Sequence, residues 1–298
     1  LIVHSCKNDV TSPYIEEQVN SLIAKGMTVD FFDIKKPGIR GYLSYVRDYY
    51  SKIRSYQPDI VHAHYGLSGL FANFQRKVPV ITSFHGSDVY IKKNWVFSKL
   101  ASLLSKESIF VSSKLKMRLN TRKGFVITCG VDFDRFFPAE KLIVEPEYAL
   151  FSGAFNNHVK NYPLAKSSID EYNSSNNTNI ELIELVDLTR DEVANLMRNA
   201  RFLLITSTYE GSSQVLKEAM ASNCPVISTD VGSVSELLEK NSGIIVGNDN
   251  FSICEAILEV MSNAKNYSKG RLELAKKGIS LDETATKIID LYKKTIMK

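Results

Sequence analysis

No stretch of the 298-residue sequence approaches the roughly 20 consecutive apolar residues that a membrane-spanning helix needs. The opening LIVHS reads as a buried strand, with no basic region leading into a long apolar stretch, so no secretory signal is expected. Cys6, Cys129, Cys224 and Cys254 are scattered without a CxxC pair. That speaks for a reduced cytosolic chain and against a disulfide framework or a zinc site. No G-x-S-x-G motif is present, and no serine or cysteine nucleophile has an evident histidine partner. Short-period repeats and low-complexity segments are missing too; NSSNNTN at 173–179 is a polar turn. What remains, 44% hydrophobic and 23% charged, is ordinary for a soluble globular protein, and the length suggests two domains.

Charge is uneven. Residues 1–140 carry 20 Lys and Arg against 12 Asp and Glu, whereas residues 141–298 carry 17 against 21. Much of the excess lies in residues 92–123, with nine basic residues and one acid. Such a run reads either as a solvated helical face or as a surface for anionic lipid headgroups or an anionic acceptor. No recognised nucleic-acid module accompanies it, which sets nucleic acid aside.

Strand-like runs alternate with amphipathic, helix-length stretches. LIVHS leads to YIEEQVNSLIAKG, where Ile15, Val19, Leu22 and Ile23 recur at helical spacing and Gly26 ends the helix. MTVDFFDI reads as a strand, YLSYVRDYYSKIRSYQ as one helix stopped at Pro58, and DIVHAH, PVITSFHGSD and SIFVSS as strands. GFVITCGVD closes this series, and Pro138 and Pro146 bracket a linker. The alternation then restarts through YALFSGAF, NIELIELV, RFLLIT, PVIST and GIIV, and three helical stretches finish the chain. The expectation is two tandem Rossmann-like, doubly wound α/β domains, residues 1–140 and 141–298, with a cleft between them and the last helices packing back on the first. Open sheets of this kind bind ligands beyond the carboxyl ends of their strands.

Within TSTYEGSSQVLKEAMASNCPVISTD, seven residues separate Glu210 from Glu218. Gly211 permits a sharp turn after the FLLIT strand, and Ser212 or Ser213 is a good N-cap for the next helix. That helix start offers unpaired backbone N–H groups and the positive end of its dipole, which suit a phosphate. Helical side chains lean toward the N-terminus, so Glu218 points back toward the same space, which Glu210 reaches from the turn. Two carboxylates flanking a phosphate site suit hydroxyl groups on either side of a diphosphate, the shape of a nucleotide sugar. On spacing alone a bare pair of glutamates is common and reads more readily as a solvated helix residue and a turn carboxylate.

The surrounding pattern resembles the retaining glycosyltransferases of family 4, which have the two-domain GT-B fold. The resemblance rests on Glu210-Gly211, Glu218-Ala219-Met220-Ala221, Pro225-Val226, Thr229-Asp230-Val231-Gly232 and Glu236. It extends over nearly the whole chain, through DIVHAHYGLSG, VITSFHGSD, CGVDFDRFFP and SGAFNNHVKNYPLAK. The resemblance implies a metal-independent enzyme moving a sugar from a UDP- or GDP-linked donor to a glycan or glycolipid in polysaccharide or cell-envelope synthesis, with no bound cofactor. Lys160 and the backbone near Ser212, Ser213 and Gln214 would neutralise the diphosphate, within a donor site that includes Gly153, Asn161 and Gly211. Glu210 would hold sugar hydroxyls, Glu218 the ribose, and His85 would orient the reacting sugar. The expected place of work is the cytoplasm, peripheral to the membrane's inner face if the basic region meets lipid.

Two positions depart from the family pattern. Ala154 stands where an arginine usually follows the phosphate-loop glycine, and SCKNDVTSPYIEEQ has no glycine where a glycine-rich loop often follows the first strand. Asn223 replaces the glycine that usually ends the helix after Glu218, a change that left-handed backbone tolerates. The departures keep two alternatives open: a partner subunit that binds nucleotide sugar without catalysis, and a sugar-nucleotide epimerase on the same fold. His62 and His64, two apart on one strand face, read as packing or cleft lining, and Asp88 as a helix cap.

Overall fold

The computed structural model describes residues 1–6, 10–140 and 147–297. Residues 7–9 and residues 141–146 of the expected linker, Pro146 among them, lie outside the described residues. The chain forms two units, Leu1–Gly130 with Leu281–Lys298, and Val131–Ser280.

The first unit runs β1 (Ile2–Ser5), α1 (Pro13–Ala24), β2 (Phe31–Ile34), α2 (Gly38–Ser44), α3 (Val46–Tyr56), β3 (Val61–His64) and α4 (Gly66–Ala72). It continues with β4 (Val80–Phe84), α5 (Ser87–Tyr90), α6 (Lys92–Leu104), β5 (Glu107–Phe110), α7 (Ser113–Arg118) and β6 (Phe125–Val126). All six strands are parallel, in the order β2-β1-β3-β4-β5-β6. β3 and β4 are buried along their whole length, as strands covered on both faces must be. α1 buries Ile15, Val19 and Leu22 and gives way to Gly26 at φ 86°.

Three sequence expectations change here. The single helix before Pro58 is two, interrupted at Tyr45, and α3 ends on Gln57 in left-handed conformation one residue before the proline. The strand expected from Met27 starts only at Phe31; Met27 and Val29 pack against a separate apolar cluster instead. GFVITCGVD supplies only the two-residue edge strand β6.

The second unit runs β7 (Tyr148–Phe151), α8 (Tyr162–Asn176), β8 (Glu181–Glu184), α9 (Arg190–Asn199), β9 (Leu203–Ile205) and α10 (Gln214–Ala221). β10 (Val226–Thr229), α11 (Val234–Leu237), β11 (Gly243–Val246), α12 (Asn250–Asn263) and α13 (Gly270–Lys276) complete it. Its five parallel strands lie in the order β11-β10-β9-β7-β8. The unit begins at Val131 rather than after residue 140, because the Val131 N–H donates to Ile279 O and Phe136 is fully buried in its core. Asn223 ends α10 at φ 53°, the left-handed conformation expected of it.

The last helix, α14 (Leu281–Ile296), belongs to the first unit. It packs Ala285, Ile288, Leu291 and Tyr292 against Leu22, Ile60, Ile81 and Ile109. Among the described residues no helix is long and apolar enough to cross a membrane.

Counted within each unit, both sheets place the second strand, then the first, then the third, fourth and fifth. The chain therefore reverses its direction of winding between the first and third strands of each sheet. Ligands of such folds bind at that reversal, beyond the carboxyl ends of the strands.

Candidate functional site

In the second unit the reversal lies between β7 and β9, and the loops after these two strands carry the expected residues. After β7 the chain passes Gly153 and makes a single 3-10 turn, His158–Lys160, before Asn161 at φ 55° admits it to α8. A Cβ at Gly153 would lie 3.0 Å from Lys160 Cε, so glycine lets the lysine stem cross this point. Thr206 Oγ1 donates to Lys160 O and Asn161 O at 2.8 and 3.1 Å, and Thr208 N donates to Val159 O at 2.8 Å. The two loops are thus stitched together before any ligand arrives.

Lys160 Nζ reaches Glu210 Oε1 at 2.6 Å, and Ser207 Oγ donates to the same oxygen at 2.8 Å. The pair is mostly buried, with side-chain exposures of 17% and 15%. Gly232, at φ 53°, packs beneath this turn; a Cβ there would meet Gly211 O at 2.7 Å and Glu210 Cβ at 2.9 Å. Of the two candidate caps it is Ser213 that caps α10, accepting from Leu216 N. Ser212 instead accepts from Ser233 Oγ at 2.9 Å and faces Lys217 Nζ at 3.4 Å. Gln214 is the first residue of α10.

Glu218 sits in the second turn of α10, 1% exposed, and is bridged by Arg190 at 2.5 Å. The Arg190 guanidinium lies 4.9 Å from the centre of the Phe136 ring. Thr189 and Glu192 form a capping box that fixes Arg190 at the first position of α9. The structure therefore gives each glutamate its own cation. Neither Arg190 nor the fully buried Lys217 was singled out from the sequence. The one local signal was the Thr-x-x-Glu spacing, which places Arg190 at a helix start; its partner lies 28 residues away.

In the first unit, His85 follows β4. The β3–β4 register sets His64 opposite Ser83, which brings His64 Nδ1 to 3.0 Å from His85 Nε2. His62 stacks on His64 with ring centres 4.5 Å apart and bonds Tyr292 and Ser83 at 2.5 and 2.7 Å. Burial pushes His62 down to about 3 and holds His64 well below the ordinary histidine range. Both are neutral packing groups that support His85 from behind. Tyr14 and Tyr65 flank His85 at ring distances of 5.1 and 4.8 Å and hydrogen-bond each other. Burial raises the Tyr65 phenol to about 12.

Asp88, expected as a helix cap, accepts from the backbone N–H groups of Gly66, His85 and Gly86 and so fixes the loop that carries His85. Burial raises it to about 6, against the pull of those bonds. Tyr65 itself has φ 73° and ψ 151°, a backbone conformation that bulky residues rarely adopt and that gathers at functional sites.

A cavity of about 710 Å³ opens at the β1/β3 reversal of this unit. Ser5, Lys35, Lys36, Tyr42, Tyr65 and Phe97 are among its walls, a mixture of apolar, hydroxyl and cationic groups suited to a polyol. Near it, His4, Cys6 and Asp33 each offer one donor atom, all within 4.8 Å of one another, a spacing that could hold a metal ion. His4 Nε2 and Asp33 Oδ1 are 3.0 Å apart. No sequence spacing announced this group, because Asp33 comes from the neighbouring strand.

Residues 160–263 match the family described as Glycosyl transferases group 1, and residues 14–135 match Glycosyltransferase Family 4. An uncharacterized glycosyltransferase of Methanocaldococcus jannaschii is 31% identical over 254 residues, 74% of this chain and 71% of that protein. Among solved structures, sucrose-phosphate synthase from Thermosynechococcus elongatus superposes with a TM-score of 0.81 at 16% identity, covering 98% of both chains. HepE of Anabaena, solved with UDP and glucose, gives a TM-score of 0.70 at 14% identity over 97% of this chain and 98% of that one.

Proposed function

Because the chain belongs to the group 1 glycosyltransferases of family 4, we propose that it moves a glycosyl unit from a nucleoside-diphosphate sugar to a glycan or glycolipid hydroxyl, with retention at the anomeric carbon. The observation that carries the reading is the Lys160–Glu210 pair at the start of α10, where the second sheet reverses its winding. A diphosphate at that helix start meets the positive end of the dipole, the backbone amides of Ser213 and Gln214, and Lys160. Glu210, released from Lys160, accepts from hydroxyls of the donor sugar. Glu218, held by Arg190, accepts from the ribose. UDP bound to the structurally similar Anabaena protein supports a uridine or other nucleoside diphosphate as leaving group.

In the reaction the acceptor oxygen bonds to the anomeric carbon on the face that the diphosphate leaves. The bond between that carbon and the phosphate oxygen breaks, and the acceptor proton passes to the departing phosphate oxygen. Fixed cations stabilise charge as it builds on the leaving group, a contribution of about 3–4 kcal/mol per well-placed donor in comparable sites. Lys160 thereby takes the part a divalent ion plays elsewhere, and Lys217 and Arg190 supply cationic charge in a unit whose loop has Ala154 where the family has arginine. His85, its loop fixed by Asp88 and its ring backed by His64, orients the sugar.

Thermal unfolding with UDP, GDP, ADP or buffer tests the donor site: one diphosphate should raise Tm by several degrees, and Glu218→Ala should abolish the shift. Radiolabelled donor with and without acceptor then tests the chemistry. A product formed from donor alone would favour an epimerase, and nucleotide binding with no transfer to any acceptor would favour a partner subunit.

A further inference from the structure

Helix α6 packs Trp95 on the cluster around Phe84 and Phe110 but turns several other large apolar residues to solvent. The positions it buries are Ser98, Ala101 and Ser102, small residues that let it lie close against α4. Across from them, Val96, Leu100 and Leu103 are 52%, 42% and 68% exposed. Their spacing of four and three residues puts them in one stripe along the helix. Lys92 and Lys93, both exposed, sit at the start of the same outward face. No acidic residue occurs between Asp88 and Glu107. At the far end, Arg76 donates to Leu104 O at 3.1 Å, which brings exposed Phe74 and Lys77 alongside.

We propose that this face of α6 docks on the surface of an anionic lipid bilayer, with Val96, Leu100 and Leu103 entering the headgroup layer and Lys92 and Lys93 meeting lipid phosphates. An apolar stripe bordered by lysines is how helices lie in the plane of an interface. The flanking charge selects the occupant: a second copy seated on the same face would bring like charges together. The apolar area is a few hundred Å², short of the ~800 Å² per partner that a stable protein interface covers. For a bilayer it is enough when charge assists, since one anchor of this size binds only reversibly. The placement also has a use, because Asn94 and Phe97 of α6 line the 710 Å³ cavity. On the reading of that cavity as the acceptor site, a lipid-linked acceptor would reach it along the same helix.

The test is cosedimentation of the full chain with vesicles of phosphatidylcholine, with and without phosphatidylglycerol, alongside Lys92→Glu/Lys93→Glu and Leu100→Ser/Leu103→Ser. These side chains are exposed, so both variants should keep the parent Tm, and vesicle binding is read independently of sugar transfer. Each lysine near an anionic surface is worth about fivefold in binding. The charge-reversed pair should therefore lose roughly 25-fold or more on anionic vesicles, and the serine pair several-fold. The single tryptophan, Trp95, lies on α6, and brominated lipid should quench it. Failure of the folded chain to bind anionic vesicles overturns the proposal, as does equal binding by both variants. Dimerisation of the parent that Leu100→Ser/Leu103→Ser abolishes would also overturn it and assign the face to a second copy.

Discussion

Replacing Arg190 with methionine removes the cation from a glutamate that is 1% exposed while keeping a long side chain over Phe136. Breaking a buried ion pair from one side costs about 3–5 kcal/mol, because a charge stays in a poorly solvated place. Arg190 is itself 26% exposed, so solvent already screens part of the pair; a discounted cost of about 2–3 kcal/mol follows. For a unit of this size that lowers Tm by about 5–10 °C. The measurement is thermal and urea unfolding of the parent, Arg190→Met, Glu218→Gln and the double variant, closed as a cycle. Removing the charge from both sides should recover most of the loss, so Arg190→Met/Glu218→Gln should be more stable than Arg190→Met alone. It should still fail to bind nucleoside diphosphate, since the ribose then lacks its carboxylate. The deficit of Arg190→Met should also shrink as pH falls, because a buried carboxylate without its guanidinium takes up a proton. If Arg190→Met lies within about 0.5 kcal/mol of the parent, or the double variant is no better than the single, the two residues are not coupled as described.

Other consequences are as direct. Lys160→Met and Glu210→Gln should each lower sugar transfer by about 10²–10³, the scale of a lost transition-state contact, in a radiolabelled-donor assay run below the Tm of each variant. Gly232→Ala forces a Cβ to 2.7 Å from Gly211 O at a φ of 53°, so it should cost at least about 1–3 kcal/mol and reduce transfer by displacing Glu210. The first unit should lose stability in acid: His62 titrates near 3 when folded against 6.5 unfolded, so the unfolded chain binds more protons in that window and stability falls with pH by about 1.4 kcal/mol per unit. Asp88 opposes this between its unfolded 3.8 and its folded value of about 6, where the folded chain holds the extra proton. Asp88→Asn should therefore steepen acid unfolding over that range, and a profile unchanged by the substitution would refute the assignment.

Much of this site was legible because it depends on local pattern. The strand–helix alternation sufficed for two wound sheets, and the Gly-Ser turn before an apolar helix announced the start of α10 and a cap at Ser212 or Ser213, of which the structure uses Ser213. Asn223 betrayed a left-handed helix end through its chemistry alone. The illegible parts share a cause: they join residues far apart in sequence. Arg190 finds Glu218 only after β9 has been laid beside β7 and α9 returned to the sheet. Asp33 meets His4 only through strand pairing. The outward stripe of α6 is hidden in the sequence because serines, which read as surface, fill the buried face. At Tyr45 the helix breaks without proline or glycine, and nothing in the structure explains why it breaks there.

The return of α14 has a consequence for how the chain comes into being. Leu22, Ile60, Ile81 and Ile109 leave the ribosome before the second unit, yet the helix that covers them is made after it, and Tyr292 reaches His62 across 230 residues. The unit whose strands precede Val131 is thus completed only after Val131–Ser280 has been made. Its unfinished flank stays open while Val131–Ser280, an uninterrupted stretch, folds. A nascent chain halted before Leu281 should carry a finished second unit and a first one that chaperones still recognise.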